Sequence, residues 1–538
     1  LAIASAAPRL DELRLAARFA RGLPRFVRAR LTEDAALARI RRQLAKRDAT
    51  FLEAFRRGML ERASSPYRAL LRNAGVEYGD VERLVQREGI EGALEELYDS
   101  GVYVTHEEFK GSSPIRRGSL TLETAPEDFD NPFGEPAVTR LSGGSSGPQR
   151  SNRTRFALLE HDAAYHSLFL AAFDLARRPS AVWRPVPPSG AGLDAVLYGA
   201  KVGRPVERWF SQNRLERGAP KELLLTRYSL LVARLCGSSI PAPEHVPLIE
   251  AVRVARWLAG KRAAGKPAWM NAPASSAVRV CLAAQEHGLD IAGTFFRLGG
   301  EPLTRAKAEA IAATGSRAVC FYTMSELRRV GLACAAPAEV DDVHVVSDTV
   351  GVIRRERPVD GHGARAGVLI HTTLTALAGK LMLNVESGDY GELVERDCGC
   401  SVGALGFTRH LHTIRSYDKL TTEGTTFLGD DVVRLVEEVL PARFGGRPID
   451  YQLVEEEEPS GLTRISLAVS PSVGFLDEDE VVRVAHDTLA AGPSYKEMMA
   501  GVLRDGGNLR VVRREPYSTS GGKLLPFHAV PRAGSTNS

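Results

Sequence analysis

At 538 residues with 44% hydrophobic content, the chain exceeds one ordinary domain and carries enough apolar side chains for a large core, so two or three domains are expected. The formal net charge of +4 is a mild bias over this length, with arginines spread along the chain, and it does not point to a nucleic-acid partner. Six cysteines make no disulfide scaffold, no apolar run reaches membrane-spanning length, and LAIASAAPRLDELRLAARFARG lacks a charged segment followed by an apolar one, so a soluble, cytoplasmic protein without a signal peptide is expected.

Residues 1–105 read as helical. In LDELRLAARFARGL and AALARIRRQLAKRDATFLEAFRRGML apolar residues recur every three or four positions with arginines between them, the pattern of packed helices with a solvated charged face. Ser65-Pro66 opens another helical segment, which Gly75 closes. From Gly101 to Phe109 β-branched and aromatic residues mark entry into mixed α/β structure. FALLEHDAAYHSLFLAAFDLAR, KELLLTRYSLLVARLCG and SAVRVCLAAQEHG read as helices, DAVLYG and RAVCFY as strands. FRLGGEPLTRAKAEAI leading to RAVCFYTMSE reads as strand, Gly-Gly turn, helix and strand. GVLIHTTLTALAGKLMLNVESGDYGEL reads as a β-rich span with Asp389 in a turn. Beyond Arg415 a smaller α+β pattern (ISLAVS, DEDEVVRVAHDTLA, NLRVVRREP) runs to STSGGKLLPFHAV.

The stretch LSGGSSGPQR, Leu141 to Arg150, gathers glycines, serines and an arginine just before a helical run. Glycine lets a backbone turn its N–H groups toward an anion, and serine hydroxyls and arginine add donors and charge. Feeding a helix N-terminus, such a stretch fits an anion cradle. The same composition fits a flexible surface loop. It is not a Walker A loop, because G-x-x-x-x-G-K-[ST] does not fit.

The order of these segments resembles the adenylate-forming superfamily of acyl-CoA synthetases and nonribosomal-peptide adenylation domains, and within it the phenylacetate-CoA ligase and acyl-protein synthetase branch, over roughly residues 100–530. The resemblance implies an α/β fold with a large ATP- and acid-binding domain (106–414), a smaller mobile α+β C-terminal domain (415–538) and, in this chain, an added helical region (1–105). Ser142, Gly143, Gly144, Ser145, Ser146 and Gly147 match the family's phosphate loop T-S-G-T-T-G-x-P-K, with Arg150 or Arg153 to replace the charge of the missing lysine. Gly299-Gly300-Glu301-Pro302, followed by Tyr322-Thr323-Met324-Ser325-Glu326, resembles the nucleotide segment, with Thr323 in place of a glycine. Tyr322 would stack on adenine, and Glu326 would hold Mg²⁺, a hard oxygen ligand for a hard cation. Asp389 takes the place of the carboxylate that accepts the ribose hydroxyls, while Asn384 and Val385 replace an arginine and a tyrosine. Arg415 would reach ribose or phosphate, and Asp418 would be the interdomain hinge. Gly521-Gly522-Lys523 resembles the C-terminal motif whose lysine stabilises charge as a carboxylate attacks the α-phosphorus.

Cys334, His344, Cys398 and Cys400 form a separate constellation. Three thiolates and an imidazole make a closed tetrahedral zinc set, more plausible in a reducing compartment than a disulfide. Their spacing alone is only suggestive, but a matching Cys…His…Cys-x-Cys pattern carries a zinc in some members of the branch, and the implied role is structural. Cys236, Cys281 and Cys320 lie in apolar runs and are expected to be core thiols.

The activity implied is Mg·ATP-dependent adenylation of a small-molecule carboxylic acid with release of pyrophosphate, then domain rotation and transfer to a thiol, by default CoA. A carrier protein, a partner's cysteine or an amine is the alternative acceptor, and nitrite an alternative acid. A nucleotide-binding homologue without turnover is the alternative class. The segments from Val182 to Gln212 and from Asn271 to Leu298 are expected to line the acid pocket, with Trp183, Tyr198 and Trp209 as aromatic walls or as plain core.

Overall fold

The computed structural model describes the chain except residues 1–5, 135, 137, 142–150, 188–189, 213–219, 359–364, 417–420, 423–424, 427–428, 458–462, 492–508, 519–522 and 531–538. Its N-terminal part is helical: Ala6–Arg28, Glu33–Ala45, Arg47–Ala54, Pro66–Asn73 and Tyr78–Asp99. Starts and stops follow from local chemistry. The Ala35 N–H donates to Thr32 Oγ1 at 3.3 Å at the head of the second helix. Pro66 occupies the first turn of the fourth, where its missing N–H costs nothing. Just beyond that helix Gly75 takes a φ of +67°, a conformation that strains any other residue. These helices share one core with the rest of the large unit, since Phe51, Phe55, Met59 and Tyr67 are buried in the same cluster as Val352, Leu374 and Val385. The stretch from Gly101 to Phe109 enters the mixed region as a single bridge, Val104 with Val385, followed by a short helix, His106–Lys110.

A six-stranded sheet pairs in parallel throughout, in the order Arg317–Cys320, Phe295–Leu298, Trp269–Ala272, Ser180–Trp183, Arg208–Ser211 and Pro243–His245. Every residue of Ser180–Trp183, Trp269–Ala272 and Phe295–Leu298 is buried, as both faces of a parallel sheet must be covered by helices. DAVLYG lies in one of the covering helices, Gly190–Lys201, and is not a strand. A short apolar run carries no period that separates the two, and here the helix is buried on every side from Gly192 to Lys201.

Val138–Leu141 and Ser151–Thr154 pair antiparallel. A strand therefore stands between the Gly/Ser stretch and the helix Phe156–Ala172, correcting the expectation that one leads straight into the other.

The second large sheet has seven antiparallel strands in the order Tyr322–Met324, Arg328–Ala333, Val343–Val345, Arg409–Ser416, Val385–Glu395, Arg365–Thr373 and Val350–Pro358. Asp389 sits inside the strand Val385–Glu395 rather than in a turn. Gly388 takes a φ of +77° there, and the pairing with Arg365–Thr373 shifts register across this point, so the Ser-Gly-Asp sequence marks a bulge in a long strand instead of its end. Asn384, where the family pattern has arginine, is fully buried and its Nδ2 donates to Leu94 O at 2.8 Å and Val102 O at 3.1 Å. It ties the end of the helix Tyr78–Asp99 to the sheet.

The C-terminal part folds around a four-stranded sheet in the order Leu509–Arg513, Thr463–Val469, Tyr451–Glu457 and Phe527–Ala529, with the helix Glu478–Ala490 against it. It has its own core of Leu435, Val436, Tyr451, Leu467, Val481 and Leu489. The whole is the mixed α/β architecture expected, a large unit with a smaller α+β one. Among the described residues no helix is long and apolar enough to cross a membrane.

Candidate functional site

The site is built where the two large sheets meet. Strand Phe295–Leu298 ends in Gly299-Gly300, and the chain returns through strand Arg317–Cys320 to Phe321 and Tyr322. The close approach requires both glycines. A Cβ at Gly299 would lie 2.7 Å from the Phe321 ring. A Cβ at Gly300 would lie 2.8 Å from Lys523 Cε and 3.1 Å from its Nζ, and Gly300 has a φ of +87°. Lys523 thus reaches this turn from the far end of the chain. Its neighbour Leu524 is anchored there, its N–H donating to Ser275 Oγ at 3.2 Å. Ser275 in turn donates its Oγ–H and N–H to Glu301 Oε1 at 2.8 and 3.1 Å. Glu301 is buried, and burial raises its pKa against the opposing pull of Lys307, the Ser275 bonds and Lys523. Arg184, buried beside Gly300, donates to Asn271 Oδ1 at 3.1 Å and Ala272 O at 2.8 Å.

One residue beyond Phe321, the Tyr322 hydroxyl donates to Asp389 Oδ2 at 2.6 Å. Burial, then the Asp389 carboxylate, push the phenol well above its ordinary range, so it stays a donor. Asp389 pairs across the ladder with Ser416, and Tyr390 with Arg415, whose Nη1 donates to Asp341 Oδ2 at 2.9 Å. Thr323 is exposed beside Tyr322, and Glu326 sits half-buried in the turn joining Tyr322–Met324 to Arg328–Ala333. The structure therefore brings Gly299, Gly300, Glu301 and Lys523 together, and joins them through Phe321 to Tyr322, Asp389 and Arg415. Ser142, Gly143, Gly144, Ser145, Ser146, Gly147, Arg150 and Asp418 lie outside the described residues. Arg184, Ser275 and Asp341 escaped sequence reading, since nothing local distinguishes them from other polar residues at strand and helix ends.

Cys334, His344, Cys398 and Cys400 converge so that one ligand atom from each lies within 4.8 Å of the others. His344 Nε2 is 3.2 Å from Cys400 Sγ and 3.8 Å from Cys398 Sγ, and its Nδ1 is 2.7 Å from Phe407 O. The carbonyl can only accept, so it fixes the proton on Nδ1 and leaves the Nε2 lone pair facing the sulfurs. Hydrogen bonds from the Cys334 thiol and the Gly403 N–H, against the opposing effect of burial, pull the Cys400 thiol well below its ordinary range. Behind the cluster, His410 is 2.7 Å from Asp342, and its ring centroid lies 4.2 Å from that of His344 with the planes tilted by 47°. Three sulfurs and one imidazole at this spacing fit a tetrahedral zinc. Of the other cysteines, Cys281 and Cys320 are core thiols, while Cys236 is half-buried.

Trp183 and Trp209 are fully buried and donate to Val246 O and Arg184 O, both at 3.1 Å, so they belong to the core. Tyr198 donates to Asp162 Oδ2 at 2.9 Å and is likewise core.

The chain has the fold of the adenylate-forming ligases. It is similar to a 2-hydroxyisobutyryl-CoA ligase in the postadenylation state bound to R3-HIB-AMP, at 13% identity and a TM-score of 0.51, covering 93% of this chain and 90% of that one. The same ligase bound to 2-HIB-AMP gives 14% identity and a TM-score of 0.52, covering 93% and 89%. Neither a protein-family model nor the sequence of a curated protein matches the chain.

Proposed function

We propose that this protein is an AMP-forming ligase that converts a carboxylic acid to its acyl-adenylate with release of pyrophosphate and passes the acyl group to a thiol, CoA being the acceptor that similarity to a CoA ligase favours. The observation that carries this reading is Lys523 against the Gly299-Gly300 turn. An ammonium brought by one unit to a glycine turn of the other is poised for charge that develops only during reaction. In this reading Lys523 stabilises the charge that builds at the α-phosphate as the carboxylate attacks. Asp389 accepts the ribose hydroxyls, Tyr322 flanks the adenine, and Arg415 supports that end of the nucleotide. Glu326 offers an oxygen to Mg²⁺ on the phosphates. The Gly/Ser stretch from Ser142 to Gly147, with Arg150, holds the outer phosphates, and Asp418 serves as hinge for a C-terminal domain beginning near Arg415. Cys334, His344, Cys398 and Cys400 hold a structural zinc that would pin the strands next to the nucleotide end of the site.

The test is ATP–pyrophosphate exchange across a panel of acids, nitrite included. At least one acid is expected to support exchange, and Lys523→Ala is expected to lower kcat by about 100- to 1,000-fold while leaving the KM for ATP nearly unchanged. No exchange with any acid, or exchange undiminished in Lys523→Ala, would falsify the ligase reading.

A further inference from the structure

Beside the Gly299-Gly300 turn is a small cavity, about 10 Å³ for the centre of a water-sized sphere, with room for one small polar group. Its walls include Phe169, Phe173, Phe321 and Leu332, and two arginines, Arg297 and Arg329, line it. Phe321 is shared, lining the cavity while its ring tip touches Gly299. Arg297 precedes Gly299 by two positions, so the alternation of the strand puts both on one side of it.

The arginines are buried charges with donors to spare. Arg297 is 3% exposed and Arg329 6%. Nε of Arg297, and Nε and Nη1 of Arg329, make no hydrogen bond. The nearby carboxylate is committed elsewhere: Asp162 Oδ2 accepts from Arg328 at 2.6 Å and from Tyr198 at 2.9 Å, leaving Arg329 Nε 3.8 Å from Oδ1. Asp194 accepts from Arg328 at 2.7 Å. Among the described residues no carboxylate pairs with Arg297, whose Nη1 donates to His166 Nδ1 at 3.2 Å. That bond places the imidazole proton on Nε2. Burial, then the charges of Arg297 and Arg329, keep His166 neutral. Aromatic faces fill the remaining sides, with the Arg297 guanidinium 4.5 Å from the Phe321 centroid and 4.7 Å from that of Phe169. Arg297 has no carboxylate partner among the described residues and Arg329 only the long contact with Asp162, and a planar carboxylate matches the unused forks of both.

We propose that this cavity takes a second carboxylate, at the far end of the acid that is activated, held between Arg297 and Arg329. The inference rests on the ligase reading above and narrows its substrate class to dicarboxylic acids. Arg297 and Arg329 are then specificity residues: one carboxylate of the substrate faces Lys523 and reacts, while the other is bound on the far side of Phe321 and does not.

Two measurements on the full chain test this. Thermal shifts without ATP compare α,ω-dicarboxylic acids from succinate to suberate with their half-amides, which match them in size and lack the second charge. Chloride and phosphate at equal ionic strength serve as free-anion controls. Exchange assays with the same acids give kcat/KM. A diacid is expected to raise Tm above its half-amide and above either inorganic anion in the wild type. Arg329→Gln is expected to erase that difference and lower the diacid-to-half-amide ratio of kcat/KM about 100-fold, with Arg329→Lys retaining part of it. Equal stabilisation by half-amides or by inorganic anions overturns the proposal, as does a ratio unchanged in Arg329→Gln. If Arg329→Gln does not fold, Ala172→Leu narrows the cavity without removing a charge, and the diacid preference must fall in it too. The two readings fail differently. Arg329-dependent diacid binding without exchange leaves the anion site standing and sinks activation, whereas exchange indifferent to Arg329 sinks the anion site alone.

Discussion

The Tyr322 hydroxyl donates to Asp389 Oδ2 at 2.6 Å across 67 positions of sequence, joining an edge strand of the seven-stranded sheet to one of its interior strands. In the function proposed above Asp389 accepts the ribose hydroxyls while Tyr322 holds its orientation. Asp389→Ala is expected to raise the KM for ATP by roughly 10- to 100-fold, since charge-assisted hydrogen bonds are lost. Tyr322→Phe removes only the orienting bond and is expected to cost less than about 10-fold. Nucleotide titrations of both variants check the order, and Tyr322→Phe as the worse of the two would refute it.

The Cys334–His344–Cys398–Cys400 cluster predicts one zinc per chain. Elemental analysis of purified protein should find it, and Cys400→Ser should lower both the zinc content and Tm. Because the ligands join strands Arg328–Ala333 and Val343–Val345 to the segment around Cys398, chelation should destabilise the fold rather than merely reduce activity. Zinc-free protein with an unchanged Tm after chelation would contradict this.

Lys307 and Glu437 face each other at 2.8 Å, with side chains 0% and 1% exposed, between the helix Arg305–Ala312 and the helical turn Arg434–Val439 of the C-terminal part. Thr304 also donates to Glu437. Removing one partner strands the other charge away from water, so Lys307→Met is expected to cost about 3–5 kcal/mol in chemical denaturation. Lys307→Met combined with Glu437→Leu removes both charges and should recover most of that loss. If the double variant is as unstable as the sum of the two single ones, the charges are not coupled.

Asp162 is fully buried, and burial alone would raise its pKa. Arg328, Arg329 and the Tyr198 bond outweigh that and hold it below its ordinary value of 3.8. A depressed carboxylate adds stability above its unfolded-state pKa and loses it as pH falls through the folded value. Asp162→Asn is therefore expected to be less stable than wild type at neutral pH by about 3 kcal/mol, with the gap closing below about pH 4. Urea midpoints measured across that range decide it. A gap that widens on acidification would mean the sign is wrong.

Elements with long periods or firm punctuation were legible from residues alone. The helix Phe156–Ala172 follows from the length of its largely apolar run, too long for a strand, and the succession of strand Phe295–Leu298, helix Arg305–Ala312 and strand Arg317–Cys320 from glycine placement. DAVLYG was not, because a short apolar run fits a buried helix and a buried strand equally. Asp389 was placed in a turn because Ser-Gly-Asp is turn chemistry, yet neighbouring strands held the backbone extended on both sides of Gly388.

What the sequence by itself determined was the class of elements, the order of glycine turns and charged residues along the chain, and the four metal-ligand types. Those depend on side-chain identity and on contacts a few residues away. Only the tertiary structure decided that Lys523 meets Gly300, that Cys334 meets Cys400, and that Arg297 and Arg329 share a cavity with donors unspent. Such contacts are set by which strands neighbour each other in a sheet and how the C-terminal unit docks on the large one. Hydrophobic burial drives both, and since burial is non-directional it leaves no local signature at the residues that come to face each other.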